Sequence, residues 1–372
     1  MSSAPCALFE PLAIRAVVFR NRIVVSPMCQ YSATDGLANE WHFAHHARFA
    51  LGGVGGAVVE ATAVTPDGRI TPGCLGIWSD EHIEPLKRIT ALYRAQGVPV
   101  GIQLAHAGRK ASAATPRDGA APLLGSALDA PAWPAIAPSA IPLMEGWPQP
   151  RAVTEAEILS LIAAFAKAAD RAVRAGFDFV EIHGAHGYMI HSFLAPLSNR
   201  RDDNWGGDRQ RRFRFALEVA EAVRGAVPAS MPVFYRSSAV DVATCGLSFE
   251  DHIALGIQLV PRGVDVIDCS AGGIAGPSGR APVASGPGYL VPYARDTARA
   301  TGLATMATGL IDSPRLAAQI IDGGDVALLA IGRQLLAEPS FAYRAAVELG
   351  LPNPESVLPP QYALFLERKR KL

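Results

Sequence analysis

Short apolar runs alternate with longer amphipathic stretches along this chain. The runs, rich in valine and isoleucine, cover residues 23–26, 56–64, 98–106, 177–184, 232–238, 264–270, 303–309 and 326–332. They do not alternate apolar and polar positions, so each is expected to bury both faces, as strands of a parallel sheet do. The stretches between them, 41–51, 80–96, 155–175, 210–227, 249–262, 290–301, 314–322 and 333–349, have the spacing of helices. Several carry end signals. Thr154 and Glu157 form a capping-box pattern. Ser248 precedes a first turn that holds Glu250 and Asp251. Gly97, Gly176, Gly263 and Gly302 stand where helices should stop.

This alternation predicts an α/β fold, a (β/α)8 TIM barrel, as one domain over residues 1–372. A doubly wound sheet is the alternative. It calls for a Gly-rich phosphate turn after its first strand, and Ser26-Pro27-Met28-Cys29 is not one. Residues 111–150 break the rhythm. They follow the third strand, are rich in Pro, Ala and Gly, and carry Trp133 and Trp147. A loop there lies on the catalytic face of a barrel, and its tryptophans need something to cover, so a lid is expected.

Composition narrows the function. Lys+Arg and Asp+Glu both number 34, so the formal charge is zero, which speaks against nucleic acid or an anionic membrane as a partner. The one basic run, Arg368 to Lys371, reads as a solvated end. The five cysteines contain no CxxC pair, so no disulfide framework, zinc site or iron–sulfur site is signalled. No window is apolar enough to span a bilayer, and the first ten residues lack a signal-peptide pattern. A cytoplasmic protein is expected.

The chemistry gathers at strand ends, which converge on one mouth of a barrel. Two imidazoles and a phenol follow the fourth strand in His183-Gly184-Ala185-His186-Gly187-Tyr188. A zinc pair is disfavoured, because the helical HExxH spacing is missing and no third ligand stands nearby. Core histidines remain an alternative. The functional reading has both rings donating to one substrate oxygen while Tyr188 supplies a proton. Arg236 ends an apolar run and must meet an anion, either a cofactor or an internal acid. No acid is adjacent to it before Asp241, and none stands at the strand ends. Thr308-Gly309 and Gly332-Arg333 end the last two strands, where barrels recurrently bind phosphate. A phosphate site, a buried arginine and the Cys29 thiol without a metal suggest FMN.

At these residues the chain resembles the old yellow enzyme family of FMN-dependent ene-reductases, and most of all its thermophilic-like subgroup. The motifs are Ser26-Pro27-Met28-Cys29-Gln30-Tyr31, Val59-Glu60-Ala61-Thr62-Ala63, the segment from Ile102 to Lys110, the segment from His183 to Tyr188, and Ile331-Gly332-Arg333. The likeness runs over nearly the whole chain. It implies that Ser26, Pro27, Met28, Cys29, Ala61, Gln103, Arg236 and Thr308 line bound FMN, with Gln103 on its pyrimidine edge and Cys29 tuning its potential. Gly309, Gly332 and Arg333 would hold the phosphate. His183 and His186 would bind the substrate carbonyl, Tyr188 would protonate, and Tyr31 would line the pocket.

The implied reaction is ping-pong. NADPH or NADH reduces the flavin, hydride passes from flavin N5 to an α,β-unsaturated carbonyl or nitro compound, and Tyr188 protonates. A homodimer or homotetramer is implied too. The tail, residues 358–372, would carry Phe365 toward a neighbouring active site, where one subgroup member has tryptophan. Thr308 likewise replaces a tryptophan, which widens the expected pocket. Two other readings stay open: a flavin-binding redox sensor acting through Cys29, and a reductase acting mainly on nitro or other xenobiotic acceptors.

Overall fold

The computed structural model describes residues 6–124, 131–241, 243–276 and 286–371. Among them, eight parallel strands close a barrel: β1 (Ile23–Val25), β2 (Gly56–Ala63), β3 (Val100–Ala105), β4 (Phe179–Gly184), β5 (Val233–Ser238), β6 (Val266–Ser270), β7 (Ala304–Ala307) and β8 (Leu328–Ile331). Each lies inside one apolar run of the sequence. Pairing follows chain order, β8 pairs with β1, and the ring is continuous. The (β/α)8 architecture expected from the sequence is the one observed.

The helices are α1 (Glu40–Ala50), α2 (Ile83–Ala95), α3 (Glu155–Arg174), α4 (Met189–Leu194), α5 (Arg209–Ala226), α6 (Phe249–Leu259), α7 (Val291–Thr301), α8 (Pro314–Asp322), α9 (Arg333–Ala337), α10 (Phe341–Glu348) and α11 (Pro360–Lys371). The end signals act as read. Thr154 Oγ1 accepts from the Glu157 N–H at 3.3 Å, and Glu157 Oε2 accepts from the Thr154 N–H at 2.8 Å. The Ser248 hydroxyl caps α6 by accepting from the Asp251 N–H at 3.1 Å. The stretch 333–349 is two helices rather than one. Pro339 falls between α9 and α10, and a proline lacks the N–H that an unbroken helix needs. No described helix is long and apolar enough to cross a membrane.

Elements with no counterpart in the sequence reading include α4, the tail helix α11, and an N-terminal hairpin of Leu12–Ile14 against Val17–Phe19. The hairpin brings Phe19 into the barrel floor. Its ring centroid lies 5.6 Å from that of Phe179, and Phe179 lies 4.6 Å from Phe234. Val24, Val58, Val266, Met306 and Leu328 complete this apolar layer. The described part of residues 111–150 leaves the barrel after β3 and is tied back to it by a few contacts. Ile136–Ala137 pairs with Arg151–Ala152, and the Trp133 indole N–H donates to the Asp67 carbonyl at 3.0 Å. Residues 125–130 of this excursion lie outside the described ones.

Phe179 is fully buried between Phe19 and Phe234, so its truncation opens a cavity that backbone strands cannot collapse into. Phe179→Ala should lower the unfolding free energy by about 3–5 kcal/mol in urea denaturation. A loss below about 1 kcal/mol would show that the floor repacks freely.

Candidate active site

Strand alternation carries polar side chains into the barrel above the apolar floor. Gln103 on β3 donates through Nε2 to Glu181 Oε1 on β4 at 2.7 Å. Arg236 on β5 places Nε 3.2 Å from Asp268 Oδ2 on β6, and Nη1 3.4 Å from the Ser26 hydroxyl. All are buried. The internal acid for Arg236 therefore exists; it is Asp268, which the sequence reading did not consider. Burial pushes both carboxyls up. The Asp268 charge pushes Glu181 further in the same direction, and Arg236 opposes the rise in each. Two acids against one cation leave this layer a surplus of acceptors. Glu181 Oε2 and both Asp268 oxygens meet no well-formed hydrogen bond among the described residues, and neither does Arg236 Nε.

Beside Arg236 a cleft of about 490 Å³ opens across the ends of β1, β5, β6, β7 and β8. Ser26, Met28, Arg236, Thr308, Gly309, Gly332 and Arg333 line it, together with Ser270, Tyr289, Asp312 and Gln334. Gly309 has φ +112°, and an added Cβ would come within 3.1 Å of the Leu290 nitrogen and the Tyr289 ring. Two arginines face a cleft whose one carboxylate is Asp312. That donor set suits a ligand with an anionic end near Arg333 and an acceptor edge near Arg236. FMN fits this description. Pro27, Cys29, Ala61 and Gln103 do not line this cleft. Gln103 lies in the polar layer, and Ala61 is buried on β2. Cys29 packs with Tyr31 against Ile70, Cys74, Ala107 and Tyr188.

The turn after β4 gathers the two histidines and the tyrosine. The His183 ring centroid lies 5.1 Å from His186 and 4.9 Å from Tyr188, and His186 lies 6.4 Å from Tyr188. His183 Nδ1 accepts from the Ala185 N–H at 3.3 Å, so its ring proton is on Nε2, available to a ligand. His186 sits at φ +59° with Nε2 2.6 Å from the Ser270 hydroxyl. The expectation that both rings point donors at one oxygen is therefore modified: His186 must exchange its Ser270 contact or use Nδ1. Burial, then the Arg236 charge, holds both histidines well below their usual range, so both are neutral at pH 7.

Lys110 is buried with Nζ 5.7 Å from the Tyr188 ring centroid, a cation–π distance. Burial, then the neighbouring Arg109, pushes Lys110 down to about 7. Burial, then the Glu60 charge, raises the Cys29 thiol well above its usual value. Tyr31 is raised by burial and by Cys29. Glu60 on β2 accepts from the Gln30 N–H at 3.0 Å, and His42 Nε2 lies 3.7 Å from its other oxygen. Burial pushes Glu60 up to about 8 and His42 down to about 4. Phe365 is 67% exposed on α11 and belongs neither to the cleft lining nor to the Tyr188 cluster.

Sequence reasoning overlooked Glu60, Lys110, Glu181, Asp268 and Ser270. A signal existed for the acids. Each is a charge inside an otherwise apolar run, which is costly unless the site uses it.

The chain matches the model of the NADH:flavin oxidoreductase / NADH oxidase family over residues 7–351. It is 44% identical to an NADPH dehydrogenase of Geobacillus sp. (strain WCH70) over 345 residues, covering 92% of this chain and 94% of the relative. An NADPH dehydrogenase of Bacillus subtilis (strain 168) is 42% identical over 357 residues, covering 95% of this chain and 98% of its own. Among solved structures, morphinone reductase superposes with a TM-score of 0.76 at 24% identity, over 94% of this chain and 91% of that one. A 2-naphthoyl-CoA reductase gives 0.81 at 22% identity, over 95% of this chain and 53% of that one. At such identities the last two show a shared fold.

Glu60 supplies a test of the buried acid layer that needs no turnover. A carboxyl raised from 4.5 to about 8 binds more protons in the folded than in the unfolded chain. Its contribution is thus fully present below the unfolded value and fades as pH rises through about 8. Glu60→Gln, which keeps an acceptor for the Gln30 N–H, should gain melting temperature relative to the parent between pH 5 and 8. Parallel melting profiles across that range would mean Glu60 is ionised throughout.

Proposed function

The chain belongs to the NADH:flavin oxidoreductase / NADH oxidase family and is an FMN-dependent NAD(P)H oxidoreductase, and we propose that it reduces the C=C bond of α,β-unsaturated carbonyl and related nitro compounds. The observation that carries this reading is the cluster of His183, His186 and Tyr188, with ring centroids 4.9–6.4 Å apart, at the mouth beside the Arg236 cleft.

Bound FMN supplies the two-electron transfer from NAD(P)H to the acceptor. Ser26, Met28, Arg236 and Thr308 would hold it in the cleft, with Gly309, Gly332 and Arg333 at its phosphate. Pro27, Cys29, Ala61 and Gln103 are assigned by the motifs alone. The His183 Nε2–H donates to the substrate's carbonyl oxygen, with His186 as second donor. As negative charge grows on that oxygen in the transition state, these neutral donors stabilise it more than they stabilise the bound ketone, so they accelerate the step. Tyr188 delivers a proton to the α-carbon. Lys110, over its ring, stabilises the phenolate this leaves. Tyr31, packed in the same cluster, shapes the pocket.

The reading extends to the whole chain. Residues 1–372 form one barrel domain with 111–150 as a lid over the mouth. The tail 358–372 offers the exposed Phe365 to the partner subunit's site in a cytoplasmic homodimer or homotetramer. The sensor alternative is disfavoured by Cys29, whose half-buried thiol is held well above its usual value by desolvation and the Glu60 charge, which makes it a poor nucleophile.

Purified protein should bleach its flavin band anaerobically with NADPH and recover it on adding cyclohexenone. Bleaching without recovery would move the electron acceptor to another chemical class. In the same assay His183→Ala should slow recovery by about 10²-fold or more and leave bleaching within about threefold. Tyr188→Phe should also slow recovery, by about 10²-fold. Equal losses in both phases would remove these residues from the acceptor side.

A further inference from the structure

Behind the turn that carries His186 and Tyr188 lies a second set of buried polar residues outside the cleft. His191, one helical turn past Tyr188 in α4, is fully buried. Its Nδ1 accepts from the Gly187 N–H at 2.9 Å, so its proton is on Nε2. That nitrogen lies 2.9 Å from Asp241 Oδ2, off the N–H axis. Asp241 Oδ2 also accepts from the Leu247 N–H at 3.0 Å, and Oδ1 from the Ile274 N–H at 3.5 Å. Arg109 donates to the Ile274 carbonyl and, at 3.2 Å, to the Pro142 carbonyl of the excursion after β3. Gly187 has φ +76°, and an added Cβ would lie 2.1 Å from the Gly273 carbonyl oxygen. The peptide between His186 and Tyr188 is thus gripped on one side by His191 and packed on the other against the loop after β6.

We propose that His191 and Asp241 are positioning residues for the reductive reaction, orienting the Gly187 peptide so that His186 and Tyr188 meet the substrate. This rests on the function proposed above. The Gly187 N–H is the hinge between the two side chains. Rotating its peptide swings His186 off Ser270 and Tyr188 off His183 together. Displacements of about 1 Å at reacting groups cost about 10²-fold in rate, so the clamp matters even though neither residue touches the substrate. Asp241 anchors His191 to the loops after β5 and β6, and Arg109 ties the second of these to the lid.

The test uses the FMN-loaded protein and reads the two phases separately. His191→Leu removes the acceptor for Gly187 at similar volume. His191→Asn keeps an acceptor near the Nδ1 position and loses only the contact with Asp241. The leucine variant should slow reoxidation by cyclohexenone about 10²-fold with NADPH reduction within about threefold, and the asparagine variant should recover to within about tenfold of the parent. A residue that only supports the fold would lower both phases alike and show no such rescue. Equal loss in both phases, no loss with leucine, or asparagine as poor as leucine each sinks the assignment. Should the leucine variant fail to fold, Asp241→Asn decides: a reoxidation rate lowered about tenfold at full FMN content supports the clamp, and an unchanged rate removes it. Failure of the parent protein itself to be reoxidised would instead overturn the function on which the proposal rests.

Discussion

The Arg236 guanidinium, sealed inside a parallel barrel, is the constraint around which the rest of the site is arranged. A cation there would be prohibitively costly unpaired, and Asp268 on the adjacent strand meets it at 3.2 Å. The strand register fixes that meeting, because Asp268 and Arg236 are direct neighbours across β5 and β6. Glu181 and Gln103 are neighbours across β3 and β4 by the same rule. Below them the phenylalanine floor excludes water, and above them the cleft begins. Glu181 Oε2 and Asp268 Oδ1 are left without hydrogen-bond partners among the described residues, so the layer carries spare acceptors.

The same positive charge explains the state of the histidines. Arg236 and burial act in one direction on His183 and His186, and both stay neutral. A neutral imidazole has one donor, so the direction it points matters more than it would for an imidazolium. His183 is committed by the Ala185 N–H on its other nitrogen. His186 is committed by backbone strain and by Ser270. Both commitments run through a four-residue turn, which is why a clamp on Gly187 has leverage on the chemistry. Burial acts oppositely on the acids and thiols of the neighbouring layer, so Glu60 and Cys29 both favour their protonated forms.

The periphery follows a different logic. Trp133 reaches the Asp67 carbonyl and Arg109 the Pro142 carbonyl, so the excursion after β3 is tied to the mouth through backbone acceptors. Such ties place few demands on side-chain identity at the receiving end. At the opposite extreme, α11 leaves Tyr362, Leu364 and Phe365 exposed.

How much of this could be read without coordinates depended on the kind of signal. The barrel was legible because apolar runs with both faces buried and amphipathic stretches repeat in strict alternation, and local periodicity reports which faces are buried. The histidine–tyrosine turn was legible because three polar rings in six residues after a buried strand are a poor way to build a core. The expectation that Gly309, Gly332 and Arg333 share one site came from the last two strand ends, and all three line the same cleft. The partner of Arg236 was not, because Asp268 is 32 positions away in sequence and becomes adjacent only through strand register. Nor was the floor, since Phe19 enters the barrel by way of a hairpin that reads locally as a short N-terminal segment. The contact of His186 with Ser270 and that of His191 with Asp241 likewise join residues brought together only by the packing of neighbouring strands and their loops. The sequence by itself determined which faces are buried and which strand ends carry chemistry, because both are local properties of the chain. Only the tertiary structure decided which charges are paired, which ring nitrogen holds its proton and which groups remain unsatisfied, because those depend on neighbours that the closed barrel supplies.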